Sequence, residues 1–479
     1  MRHLNFYSLF REKKNTKPII NTNTILTAAC IVAASVFSSC KSNKALYEAP
    51  SVYGFKGKGM LPPPGMVYVP SGTILYKSSA DNDGATRRVS LSPFFIDATE
   101  VTNKQYRDFV NWVADSIVIT DYLKDDSYYL KPGKSSTSTA KYIDWSRIDK
   151  LGAPLWQSND EAITSKIMGT LVISENGKKV LNSELLKYQL SYFQAGGENA
   201  NKQITEFVKV IPENAVWVKD FPNSQMGFMA ANYYDHRSYD NHPVVGVTWK
   251  QARAFADWRG KAAASQLQRN AYLKAYQLTF NLPTEAQWQY AASGVRHPEE
   301  AEGSPALSYK DRKGEKLLVN FKQGEGNYTQ DGSTFTLPVK SYSPNTFGVF
   351  NMAGNVSEWT LDAFSPSAVE FVHDLNPVLL YDAADTDPVV MKRKVIRGGS
   401  WKDNAELLNI DTRNYEAQDA SHSYIGFRCV MPAPELLSEQ VRTRKTASKS
   451  KRSSSSEGRA TRSTSNTSSK GMKSVSTKE

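Results

Sequence analysis

The sequence predicts a mixed domain of short strands and helices around a loop-built core. Three observations carry that expectation. Thr102-Asn-Lys-Gln105, Thr248-Trp-Lys-Gln251 and Thr284-Glu-Ala-Gln287 each fit the capping box, with Thr as N-cap and Gln at the third helical position. Strand-like runs stand at both ends of the same region, 66–97 and 395–430. Between them, Asn345-Thr-Phe-Gly-Val-Phe-Asn-Met-Ala-Gly-Asn-Val-Ser-Glu-Trp359 has neither helical nor strand periodicity.

The elements follow in chain order. Met66-Val-Tyr-Val69 leads into the turn Pro70-Ser-Gly72, and 88–97 alternates before running apolar, so both read as strands. The first capped helix carries Tyr106, Phe109, Val110 and Val113 at helical spacing; the second carries Ala252, Phe255 and Ala256; the third Trp288, Ala291 and Ala292. These aromatic faces read as core. Between the first two helices, 131–139 is a loop, 181–193 is expected to be a helix, and 211–220 a turn and strand. His236 stands among Tyr233, Tyr234, Arg237 and Tyr239 and reads as a hydrogen-bonded surface residue, not a catalyst. Residues 295–340 and 362–394 are loop-rich. Arg397-Gly-Gly-Ser-Trp401 is a strand entering a glycine turn, and Ile425-Gly-Phe-Arg-Cys-Val430 is a closing strand.

The net charge of +11 lies at the chain ends. Residues 1–39 hold five Lys/Arg against one Glu, and 441–479 eleven against two, which leaves 40–440 at −2. A near-neutral fold excludes a nucleic-acid-binding domain. The three cysteines, Cys30, Cys40 and Cys429, form no CxxC, and no Cys/His cluster has metal spacing.

Residues 1–39 read as an export signal. Arg11, Lys13, Lys14 and Lys17 precede an apolar run, 25–37, that is too short to span a bilayer. The run ends in Phe37-Ser-Ser-Cys40, which resembles the bacterial lipoprotein cleavage box. Cys40 is then the lipidation site, and two or more acyl chains would anchor the protein stably. The absence of an Asp or an acidic cluster after Cys40 implies, by resemblance, an outer-membrane protein facing the periplasm. Residues 40–64 read as a tether, 65–437 as the folded domain, and 438–479 as a disordered basic Ser/Lys-rich tail.

In 345–359, Gly348 and Gly354 ask for positive φ or close backbone approach. The Asn side chains and Glu358 form either a set of Asx-turns or a hard-oxygen cation site.

Seven motifs, in order, resemble the formylglycine-generating enzyme (sulfatase-modifying factor) family. They are Pro64–Gly72, Phe95–Tyr106, Pro243–Trp249, Leu282–Trp288, Gly348–Trp359, Arg397–Trp401 and Gly426–Cys429. The resemblance implies a C-type-lectin-like α+β fold, poor in regular structure, with insertions at about 114–240 and 362–394. The family's enzyme uses two cysteines after Arg-Gly-Gly-Ser to bind copper. Here 401–415 holds no Cys, so neither copper nor thiol redox chemistry is expected, and the scattered His residues argue against iron. The resemblance also implies two structural Ca²⁺ sites. One comprises Asn351, the Gly354 and Val356 carbonyls, and Glu358; the other comprises Asn320, the Phe321 carbonyl, Asp331 and the Ser333 carbonyl.

Together with Cys40, this resembles the GldK/PorK group, non-catalytic outer-membrane lipoproteins of the type IX secretion and gliding machinery. Such proteins assemble into a periplasmic ring with a GldN/PorN partner; GldJ-like lipoproteins share the fold. Two other classes stand beside that expectation. One is a calcium-dependent glycan- or peptidoglycan-binding lipoprotein using Trp217, Tyr233 and Tyr234. The other is an oxygenase relying on Cys429 or on His236 and His242.

Overall fold

The two ends of the folded region meet in one sheet. β1 (Met66–Val69) pairs antiparallel with β4 (Phe94–Asp97), and β15 (Val430–Pro432) pairs with the other edge of β4, setting Met66 opposite Asp97 and Val430 opposite Ile96. In this computed structural model the described residues are 62–77, 85–131, 141–175, 177–197, 199–267, 279–294, 307–311, 314–326, 328–330 and 333–433. The signal, Cys40, most of the tether, Asp331 and the basic tail lie outside them. Contacts divide the chain at Pro434, and the second unit, 435–479, is likewise outside.

A hairpin of β2 (Gly72–Lys77) and β3 (Thr86–Leu91) follows β1. The second main sheet has the order β13 (Asn414–Ala417), β12 (Arg393–Arg397), β11 (Ser357–Ala363), β14 (Ile425–Gly426), with only the last pair parallel. Three more hairpins are separate: β5 (Val172–Glu175) with β6 (Lys178–Leu181), β7 (Lys187–Phe193) with β8 (Gln203–Lys209), and β9 (Ser308–Asp311) with β10 (Gly314–Leu317).

All three expected helix starts are present. α1 (Asn103–Ile117) and α7 (Glu285–Ser293) each have a reciprocal capping box, from Thr102 and Thr284. α6 (Trp249–Leu267) begins in the same way: Thr248 Oγ1 accepts from the Gln251 amide at 3.2 Å, and Gln251 Oε1 accepts from the Thr248 amide at 2.8 Å. Their apolar faces are core, with Tyr106, Phe109, Phe255 and Trp258 in mutual ring contact. Among the described residues there are five further α-helices, all short. They are α2 (Trp145–Asp149), α3 (Glu161–Ile167), α4 (Val216–Asp220), α5 (Gly227–Asn232) and α8 (Ala368–Phe371). The mixture of helices and strands, with long loops, is the expected α+β class.

Two local expectations fail. Residues 181–193 form the end of β6, a turn and β7, not a helix. Tyr188 and Leu190 are buried while Lys187 and Gln189 are exposed, a period of two that the run of leucines obscures. Within 211–220 the strand expectation also fails, because Val216–Asp220 is α4.

Candidate functional site

The motif residues converge on a buried polar centre between the two main sheets. Positive φ at Gly348, Asn351, Gly354 and Asn355 (86°, 51°, 74° and 60°) lets 345–359 fold back on itself. A Cβ on Gly354 would sit 2.3 Å from the Asn320 carbonyl oxygen, so only glycine fits there. Asn345 closes an Asx-type turn: its Oδ1 accepts from the Phe347 and Val349 amides at 3.0 and 3.1 Å. The stretch then enters β11, where Trp359 is buried and donates to the Val247 carbonyl at 3.0 Å.

Glu358 and Arg428 form the heart of this centre. Arg428 donates to Glu358 through Nη2 at 2.6 Å and Nε at 2.7 Å, and Trp288 Nε1 adds a third bond at 2.8 Å. The rest of the guanidinium reaches the Asp97 carbonyl at 3.0 Å and the Phe350 carbonyl at 2.9 Å. Glu100 lies alongside, fully buried. It accepts from Asn355 Nδ2 at 2.8 Å and from Asn351 Nδ2 at 3.1 Å. Burial pushes its carboxyl up to about 7; Arg428 pulls it down and Glu358 pushes it further up.

This geometry locates the residues of the first calcium expectation. The structure does bring Asn351, Gly354, Val356 and Glu358 together. But both Glu358 oxygens face a guanidinium, so its charge is already matched. A cation there would share Glu358 with Arg428, with the Glu100 carboxyl alongside on Asn351 and Asn355. No step below uses a bound ion. In the second set, Asn320 is buried and its Nδ2 donates to the Phe335 carbonyl at 2.8 Å. The Phe321 carbonyl accepts the Gln323 side-chain amide, the Ser333 hydroxyl donates to the Phe335 carbonyl at 3.2 Å, and Asp331 is outside the described residues.

A second buried cluster fixes the loop after Arg397-Gly-Gly-Ser400. Glu285 receives Arg413 at 2.6 and 2.9 Å and Tyr76 at 2.7 Å, with Arg397 at 3.4 Å. Arg397 also donates to the carbonyls of Ile410 and Thr412 at 2.5 and 2.9 Å. Ser400 donates to Asp403 at 2.6 Å, Leu408 is fully buried, and Trp401 stacks on Trp217. The loop is thus filled by packing and hydrogen bonds, with no thiol in it.

The side chains on which the oxygenase expectation relies are Cys429, His236 and His242. Cys429 is the free cysteine among the described residues and is buried; burial and Asp97 both push its thiol far up, which disfavours the thiolate. His236 caps a turn by accepting from the Ser238 amide at 3.2 Å. His242 lies 3.2 Å from Thr336 Oγ1, and burial lowers it to about 4. The aromatics considered for glycan binding, Trp217, Tyr233 and Tyr234, are all buried in the core.

Glu100, Arg428, Glu285 and Arg413 were not singled out from sequence. Glu100, Glu285 and Arg428 do lie inside the quoted motifs, and a charged residue within a motif is the signal that could have found them.

With this geometry in place, residues 55–433 match the sulfatase-modifying factor enzyme 1-like domain, and the chain belongs to that family. The formylglycine-generating enzyme of Thermomonospora curvata is 26% identical over 378 residues, covering 76% of this chain and 92% of that protein. The inactive C-alpha-formylglycine-generating enzyme 2 of Bos taurus is 25% identical over 384 residues, covering 77% and 88%. The formylglycine-generating enzyme of Streptomyces coelicolor is 34% identical over 203 residues, 40% of this chain, and the match spans only about half (54%) of that relative. PvdO from Pseudomonas aeruginosa superposes with a TM-score of 0.39 at 17% identity, over 77% of this chain and 94% of that one.

Proposed function

We propose that this chain is a non-catalytic outer-membrane lipoprotein that faces the periplasm and serves as a structural ring subunit of a type IX secretion and gliding machine. Its partner in this reading is a GldN/PorN-like periplasmic protein. The observation that carries the reading is where apolar surface is exposed. Among the described residues, 14 of the 16 exposed large hydrophobic side chains lie in 114–240 or 362–394, although these segments are less than half of those residues. Scattered exposed apolar residues need no explanation, but such concentration on two additions to a family fold suits protein docking.

The composition of the loop after Ser400 supports the same reading. The loop at 401–415 has no cysteine, and Cys429 is held as a buried thiol. Cys40 supplies the anchor in this account. Deleting the gene is expected to abolish secretion of the system's cargo, and normal secretion in the deletion strain would overturn the proposal.

A further inference from the structure

The hairpin of β7 and β8 is the longest strand pairing among the described residues, seven residues on each side in unbroken register and without proline. Its ends fix the phase of the ladder. Gln194 donates its amide to the Lys202 carbonyl at 3.0 Å, and Val210 donates to the Leu186 carbonyl at 3.1 Å. Bonded pairs alternate in an antiparallel ladder, so the even-numbered residues turn their backbone groups toward each other. Gln203, Thr205, Phe207 and Lys209 of β8 therefore turn theirs to the outer edge.

Two other edges are closed. That of β7 is clasped at its end by the second insertion: Asp382 donates its backbone N–H to the Ala195 carbonyl at 2.7 Å, and its carboxylate accepts from the Ala195 amide at 2.9 Å. Arg253 of α6 holds the same carboxylate at 2.7 Å. On β13 the amides of Tyr415 and Ala417 are taken by neighbouring side chains, Asn414 Oδ1 and Glu416 Oε1, each at 2.8 Å. The edge of β8 differs. Gln251 Nε2 takes the Lys209 carbonyl at 3.0 Å. Among the described residues, no hydrogen bond reaches the outward N–H and C=O groups of Gln203, Thr205 and Phe207. All three residues are exposed, Phe207 by 66%, while Tyr188, Leu190 and Val208 are buried on the opposite face, which α6 covers.

We propose that the outer edge of β8 receives an extended segment of a partner protein as a third strand. The inference rests on the docking reading above and names the form in which the partner binds. Donors and acceptors that repeat about every 6.8 Å along an edge are complementary to another extended backbone. A sugar chain or a lipid surface has no such repeat. The neutral Gln203, Thr205 and Phe207 ask for uncharged side chains at alternate positions of the segment, with a β-branched or aromatic one against Phe207. They also ask for no proline where the segment's N–H faces β8.

Photo-cross-linking from the full-length chain in the envelope tests this, with a photoreactive phenylalanine derivative at Gln203, Thr205 and Phe207 in turn. The cross-links are expected to move along one partner segment in steps of two residues, as strand pairing requires. A peptide synthesised from that segment should bind the purified full chain and slow amide exchange at Thr205 and Phe207. Thr205→Pro removes an outward N–H and leaves the bonds to β7 in place. It should weaken peptide binding about tenfold, the worth of one hydrogen bond, with an unchanged melting temperature. Thr205→Val keeps the N–H and should bind as wild type. The cross-links need no proline variant, so misfolding of that variant does not decide the outcome. Absent or scattered cross-links, or cross-links to a second copy of the chain, a glycan or lipid, overturn the proposal. Equal peptide binding by wild type and a folded Thr205→Pro does the same. Lost secretion in the deletion strain without stepped cross-links sinks this inference alone; stepped cross-links with normal secretion sink the secretion reading alone.

Discussion

Glu358 and Arg428 show what the polar centre does at the scale of single residues. Each is essentially inaccessible to water, so neither charge tolerates the loss of the other. Removing one partner of a buried pair typically costs about 3–5 kcal/mol. Arg428→Met is expected to destabilise the domain by about that amount, measured by urea denaturation; a change under about 1 kcal/mol, ordinary for a surface ion pair, would contradict the pairing. Glu100 adds a pH dependence. Its carboxyl is raised to about 7, above the unfolded value near 4.3. The folded state therefore holds a proton that the unfolded state has lost between those values, and this favours folding more as pH falls from 7. His422 acts in the same direction. Burial opposes its charge, but hydrogen bonds to Asp220 and Glu416 raise it to about 9. Its contribution is complete below the unfolded value near 6.5 and is lost as pH rises through 9. Burial lowers Lys394 to about 7 and works the opposite way above that pH, so the test is the difference between proteins: in thermal melts the advantage of wild type over His422→Gln should shrink as pH rises from about 6.5 to about 9. Equal slopes in the two proteins would rule out this assignment.

At the scale of elements, the capping boxes were the most legible feature of the sequence. A Thr with Gln three residues on is a local device, and nothing distant has to cooperate for it to form. Thr284→Ala should cost about 0.5–2 kcal/mol, read from chemical denaturation, and a neutral result would mean that α7 is held by packing alone. Residues 181–193 were illegible for the opposite reason. Their strand pairing is with 203–209, and the inward-facing Tyr188 and Leu190 are recognisable only once the hairpin partner is known. The partner of Glu358 was illegible in a similar way. Asn351, Gly354, Val356 and Glu358 are close in sequence, so their convergence could be foreseen. Arg428 lies 70 positions further on, and residue types give no sign that it takes up the carboxylate. The clasp at Asp382 is equally non-local. Asp382→Ala should raise amide exchange at Ala195 and the neighbouring hairpin tip while leaving α1 and α7 protected; uniform protection would show that the clasp does not hold the insertions together.

For the whole molecule, the family and its order of motifs were readable from sequence, while the distribution of exposed apolar surface required the fold. In the proposed reading, a sulfatase-modifying-factor-type domain lacking cysteines in its 401–415 loop and exposing hydrophobic side chains in 114–240 and 362–394 is organised for contact. Cross-linking in the envelope followed by affinity purification of this chain tests that claim most directly. The account predicts a large assembly containing further copies of the chain and a soluble periplasmic partner, cross-linked through 114–240 and 362–394. Recovery of the chain alone, or cross-links confined to residues outside those two segments, would contradict it.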